Sequence, residues 1–287
     1  MLKQRIITAI VLLAILLPAL FWRTPQPFLA ITLVLLAAGG WEWGRLNHLG
    51  AGASVALGAL TLALCAGAWW LDWPAHPSAL MWIVVGAAWV LAGAALVKHG
   101  VEGWPGIPRG VRVVSGTLAL VLAWLAMAQA REIGVNFLLS IFVLVWVADV
   151  TAYFAGRAFG GRFTQRKLAP VISPKKSWEG VWGGMAGVVV LAVVWTFADR
   201  ATEAAVPSLY SRLAAMNWLV LVLGALFLAA MSVVGDLTES LVKRSAGMKD
   251  SSQLLPGHGG VLDRVDALLP TLPLAMMLAT LAALASR

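Results

Sequence analysis

An all-α, polytopic integral membrane bundle with about nine transmembrane helices is the fold class this sequence predicts, and three observations carry it. Of the 287 residues 61% are hydrophobic and only 12% charged, and the mean hydropathy is +0.87, so a water-soluble domain could not cover its apolar surface. Apolar runs of roughly 20 residues, the length that crosses a bilayer as a helix, recur between charged or Pro/Gly-rich breaks. The breaks themselves alternate between basic and nearly neutral, as topogenic loops do.

Taken in order, the first run, Ile6 to Trp22, follows Lys3 and Arg5 like a secretory leader. It continues to Phe21 and Trp22 without a small-x-small cleavage site and is therefore read as a retained span. The following runs are Phe28 to Trp43, Ala53 to Leu71, Leu80 to Val97, Val113 to Ala130, Val135 to Phe154, Trp178 to Phe197, Asn217 to Leu237 and Ala267 to Ala285. The second is the shortest, and Gly39, Gly40 and Glu42 interrupt its end. Cys65, the single cysteine, falls in an apolar run where a thiol behaves as a small hydrophobe. Trp41, Trp43, Trp69, Trp70, Trp73, Trp178 and Trp218 lie near span ends, where indoles anchor at the headgroups. Five spans (1–133) form an N-terminal membrane region, and four (134–287) a C-terminal region with the charged loops.

Lys and Arg divide sixteen to five between the two sides. The richer side holds the N-terminus and the even-numbered connections; the poorer holds Arg23, Arg131, Arg200, Arg212 and Arg287. The positive-inside rule puts the richer side in the cytoplasm. The net charge of +8 comes from short segments between apolar runs, which points to anionic headgroups of the lipid bilayer and not to nucleic acid.

Three stretches on that side carry more than charge. In the sixth connection, Ser173-Pro174-Lys175-Lys176-Ser177-Trp178-Glu179-Gly180 places Ser177 to cap the following helix, whose free amides would face an anion beside Lys175 and Lys176. The ordinary alternative is a topogenic basic loop. Asp149, Tyr153 and Gly156, at the end of the sixth span, share one face by spacing, a face expected to look into the bundle. A carboxylate there can also simply snorkel.

The strongest signal begins at Asp236, where Asp236, Glu239, Ser240 and Lys243 fall on one helical stripe with Arg244 following. Local helix-stabilising pairs are the alternative. After Lys249-Asp250 comes Leu255-Pro256-Gly257-His258-Gly259-Gly260-Val261-Leu262-Asp263-Arg264-Val265-Asp266. Its glycines let backbone approach a ligand, and Asp263 and Asp266, three apart, are expected on one helix face. Paired acids beside Asp236, with no cysteine and one histidine, suit Mg2+ better than zinc; His258 is by itself most often a hydrogen-bonding loop residue. Acids for a cation and bases for phosphates, in a membrane, describe phosphoryl or nucleotidyl transfer involving a lipid phosphate.

At these residues the sequence resembles the phosphatidate cytidylyltransferase (CDP-diacylglycerol synthase) family. That family's signature is filled in register by Ser240, Lys243, Arg244, Lys249, Asp250, His258, Gly259, Gly260, Asp263, Arg264 and Asp266. The resemblance implies transfer of the cytidylyl group of CTP to phosphatidic acid by a homodimer in a bacterial-type cytoplasmic membrane, with the active site on the cytoplasmic side. It implies Mg2+ held by Asp236, Asp263 and Asp266, a second, monovalent cation being left open. Lys243 and Arg244 would serve catalysis with those acids, while Ser173, Lys175, Lys176, Ser177, Ser240, Lys249, His258, Gly259, Gly260 and Arg264 would bind substrate. A CTP-dependent lipid-alcohol kinase would use the same groups on a different phosphate. A transporter coupled through Asp149 and Asp236 would not explain bases packed beside paired acids. An enzyme that consumes CDP-diacylglycerol would carry an Asp-Gly-x-x-Ala-Arg pattern, which is absent.

Overall fold

Nine helices among the described residues are long and apolar enough to cross a membrane, in the order the sequence predicts. The structure is a computed structural model that describes residues 2–285; Arg287, counted above on the less basic side, lies outside them. The helices are α1 (Leu2–Leu20), α2 (Gln26–Leu46), α3 (Ala51–Trp70), α4 (Ala79–Gly103), α5 (Arg109–Ile133), α6 (Val135–Phe159), α7 (Trp178–Ala201), α8 (Leu209–Met216), α9 (Trp218–Ser245), α10 (Leu262–Val265) and α11 (Leu268–Ala285). Among the described residues β pairing is limited to two isolated bridges, Ala169 with Ser173 and Leu255 with Gly259.

Small residues set the closest helix pairs. A Cβ added at Gly183 of α7 would lie 2.1 Å from Ala155 Cβ on α6, and one at Gly187 would lie 2.4 Å from Thr151 Oγ1. The two backbones therefore touch over about two turns, from Gly180 to Gly187, the close approach by which membrane helices associate without a hydrophobic drive between them. Gly40 and Gly44 do the same for α2 against Thr61, Gly58 and Ser54 of α3. Gly40, expected with Gly39 and Glu42 to interrupt the second span, instead helps seat it on its neighbour, and α2 runs on to Leu46. One continuous core draws on both halves of the chain, α4 packing on α9 and α11 while α5 packs on α2, α6 and α11.

Three details depart from the sequence reading. The fourth helix runs past Val97, kinks at Gly100 (φ 65°) and ends in a 3-10 turn at Trp104–Gly106, because positive φ costs glycine little. The seventh connection contains α8, a short helix that the search for long apolar runs passes over; Ser208 caps it and Asp199 accepts from Ser208 and Ser211. The indoles are not uniformly anchors. Trp70 is 90% exposed, but Trp43 turns inward, donating to the carbonyls of Arg112 and Val113 and meeting Trp104 edge-on.

Candidate functional site

The chemistry-bearing residues collect at one end of the bundle, where α2, α6 and α9 finish and α7, α10 and α11 begin. The N-terminal end of α1 is there too: Thr8 Oγ1 donates to Pro256 O at 2.9 Å, and a Cβ on Gly257 would lie 2.9 Å from Arg5 Cγ. The N-terminus and the two basic loops thus share one side, as the alternation of loops predicts.

The stripe on α9 resolves into two i, i+4 pairs. Ser240 Oγ donates to Asp236 Oδ1 at 3.2 Å, and Lys243 pairs with Glu239. Neither pair is merely local. Asp236 also pairs with Lys176 from the sixth connection, and Lys243 Nζ reaches Asp263 Oδ1 at 2.5 Å. The Lys243 and Asp263 side chains are 11% and 5% exposed, so this cluster is shielded, whereas Lys176 and Asp236 at 27% and 30% stand at the opening. Two sequence motifs 60 residues apart are joined at Lys176 and Asp236.

Asp263 and Asp266 stand on one helical turn, as their spacing predicts: Asp266 keeps helical angles (φ −48°, ψ −51°) and its N bonds Leu262 O at 3.0 Å, but the two side chains make separate contacts. Asp263 turns back onto its own loop, Oδ2 accepting from Ser251 N (2.9 Å), Ser251 Oγ (2.9 Å) and Gly260 N (2.8 Å). Asp266 Oδ1 accepts from Ala267 N at 2.7 Å, in the break between the two helices. The charge of Asp236 acts on both Asp149 and Asp266, and that of Asp149 on Asp266, while Asp263 pairs with Lys243.

The glycine-rich stretch is a tight turn. Leu255 N bonds Gly259 O and His258 N bonds Leu255 O, both at 2.8 Å, with Gly257 and Gly259 at φ 76° and 83°. Gly259 is required twice over, since a Cβ there would also stand 2.6 Å from Asp263 Oδ2. His258 is held by its backbone, its carbonyl accepting from Arg264 Nε at 2.9 Å, while its Nδ1 is buried without a protein partner. Arg244 Nη1 donates to Met248 O at 3.1 Å, closing the end of α9. Lys249 and Asp250 are exposed and, with Trp41, Arg45 and Ser252, line a cavity of about 600 Å³.

The second motif has a similar construction. Ser177 caps α7, accepting from Gly180 N at 3.2 Å, as the sequence predicts. Ser173 closes a turn onto Ala169 O at 2.8 Å and Lys175 is exposed. Glu179, buried, accepts from Phe163 N (3.1 Å), Thr164 N (2.8 Å) and Thr164 Oγ1 (2.9 Å), fixing the start of the basic loop. Of the face expected to look inward from α6, Gly156 meets Gly180 and Ser177. Tyr153 does not: it is 60% exposed and stacks edge-on with Phe154, because the α6–α7 contact passes through the small side of the helix.

Sequence reasoning passed over Glu42, Ser251 and Ser252. Glu42 is fully buried against the signature loop; its one sequence signal was a carboxylate inside a span, where ionisable residues are rare and functional. For a divalent cation the donors are suitable in kind, being all oxygen. Among the described residues no group of three His, Cys, Asp or Glu side chains is poised to hold a metal.

Comparison with known proteins identifies the family. The profile of the cytidylyltransferase family matches residues 3–282. A Pseudomonas aeruginosa protein named phosphatidate cytidylyltransferase is 40% identical over 278 residues, 95% of each chain. One of the same name from Haemophilus influenzae is 34% identical over 95% of this chain and 96% of its own, and a Brucella abortus protein so named is 42% identical over 62% and 59%. With a profile that spans all nine membrane helices and ends inside α11, this chain belongs to the cytidylyltransferase family.

Proposed function

We propose that the chain is a phosphatidate cytidylyltransferase: CTP and phosphatidate give CDP-diacylglycerol and diphosphate. The observation that carries this is the meeting of the two motifs through Lys176 and Asp236, beside Asp149, Asp266 and the Lys243–Asp263 pair. A phosphatidate oxygen attacks the α-phosphorus of CTP in line, the bond to the β-phosphate oxygen breaks, and diphosphate departs. Phosphatidate is already an anionic nucleophile, so no general base is needed, and positioning with charge neutralisation does the work.

Asp236 and Asp266 are the residues we assign to Mg2+, which when bound would neutralise charge on the reacting phosphates. Asp263 belongs to the same centre through Lys243, its Oδ2 being taken up by the loop. Lys176, Lys249, Arg264 and Arg244 are the bases we assign to the substrate phosphates. The homodimer and the cytoplasmic placement of the site belong to the same proposal, the latter supported by the basic asymmetry of sixteen to five.

The test is purified protein with labelled CTP and phosphatidate. A lipid-soluble CDP product with free diphosphate is the expected result. CDP release with a phosphorylated lipid alcohol would instead place the chain with the CTP-dependent lipid kinases.

A further inference from the structure

Glu42 is on α2, 209 to 220 residues before its hydrogen-bond partners, and it is 0% exposed. Its Oε1 accepts from Ser252 Oγ at 2.6 Å and Val261 N at 2.9 Å. Its Oε2 accepts from Leu262 N at 2.8 Å and Ser251 Oγ at 3.1 Å. A carboxylate is tolerated at such a position only where donors replace its hydration, and here all four come from the two ends of one loop, 251–262.

The chemistry of the donors demands an acceptor-only group. Val261 N and Leu262 N are backbone donors that cannot turn away, and they address different oxygens of Glu42. Glutamine, the same size, would have to aim its NH2 at one of them. Ser251 Oγ, with one proton, lies within reach of both Glu42 Oε2 and Asp263 Oδ2, at 3.1 and 2.9 Å, so the two carboxylates are keyed to each other through it. Gly260 completes the fit: a Cβ there would stand 2.1 Å from Ser251 Oγ and 2.3 Å from Glu42 Oε1.

We infer that Glu42 is a positioning residue for cytidylyl transfer. It fixes the loop that carries His258 and Gly259 and, through Ser251 and Gly260, fixes Asp263 and with it Lys243. The N-terminal spans thereby supply a residue on which the reaction centre depends. The inference rests on the proposed cytidylyltransferase activity, and its test separates the two.

The experiment compares the wild-type full chain with Glu42→Gln in detergent, using phosphatidate, labelled CTP and Mg2+, alongside amide hydrogen exchange. Expected is a fall in kcat of about 10- to 100-fold, the usual effect of removing a group that orients ligands from behind, with the KM for phosphatidate unchanged. Amides of 251–263 should exchange faster while those of α6 and α7 do not. Wild-type activity with Glu42→Gln near normal, or with loop exchange unaltered, overturns the inference. No product from the wild type overturns the activity, and the exchange data still judge the clamp. If Glu42→Gln fails to fold, Ser252→Ala, which removes one donor and keeps the carboxylate, should show the same pattern more weakly; unaltered exchange in that variant also overturns it.

Discussion

Two lysines at the site make the same kind of ion pair at different depths, and this yields a quantitative prediction. Lys243 lies between Glu239 and Asp263, whose side chains are each 5% exposed. Lys176 meets Asp236 with both side chains more than a quarter exposed. Replacing either lysine by Met keeps the apolar stem and deletes the charge. Lys243→Met leaves two shielded carboxylates without their cation, which costs about 3 to 5 kcal/mol. Lys176→Met loses a solvated pair, worth at most about 1 kcal/mol. The two variants should differ by about 2 to 5 kcal/mol, or roughly 30- to 4000-fold in the folded-to-unfolded ratio. Denaturant unfolding of the purified protein in detergent, followed by fluorescence of its 15 Trp residues, measures this. Lys243→Met combined with Glu239→Gln and Asp263→Asn should regain most of the loss, because a neutral cluster has no stranded charge. Equal stabilities of the two single variants, or no recovery in the triple, would refute the reading of Lys243 as the buried hub.

Other expectations follow from the same contacts. Gly183→Leu on α7 should destabilise by about 1 to 3 kcal/mol through overpacking against Ala155, whereas Gly67→Ala, in open space on α3, should be neutral or stabilise by up to about 1 kcal/mol; the same unfolding curves decide both. Ser177→Ala should remove about 1 kcal/mol of helix capping, and kcat should fall because the cap holds the start of α7 next to Lys176. Asp266→Asn should raise the Mg2+ concentration for half-maximal rate by at least about tenfold, while Asp263→Asn lowers kcat at every Mg2+ concentration, as rate titrations with each variant would show.

The spans were legible because their signal is composition over about 20 residues, which no tertiary contact overrides in a bilayer. The motifs were legible as residue types, and Lys176 and Asp236 do meet. What the pattern could not carry was direction. Helical spacing puts Asp263 and Asp266 on one turn and the backbone there is helical, but hydrogen bonds with Ser251, Gly260 and Lys243 decide where Asp263 points, while Asp266 turns to Ala267 N. Glu42 was seen only as an interruption of α2, since a partner more than 200 residues away leaves no local trace. Tyr153 failed for a related reason: a helix face has no sign until the neighbour that packs on it is known, and α7 packs against Gly156 and Ala155.

Glu42 and Glu179 solve one physical problem in two places. A reaction centre at the end of a helical bundle needs irregular backbone, and irregular backbone carries N–H groups that no helix satisfies. Each loop is pinned by a buried glutamate from an adjoining helix that accepts two consecutive loop amides: Val261 and Leu262 for Glu42, Phe163 and Thr164 for Glu179. A hydroxyl in either place would hold one amide at best, and a carboxamide would set a donor against a donor. With both loops so fixed, Lys176 and Asp236 need only a partly exposed pair to bring them together. That junction is the more exposed of the site's two lysine–carboxylate links, Lys243 and Asp263 lying deeper.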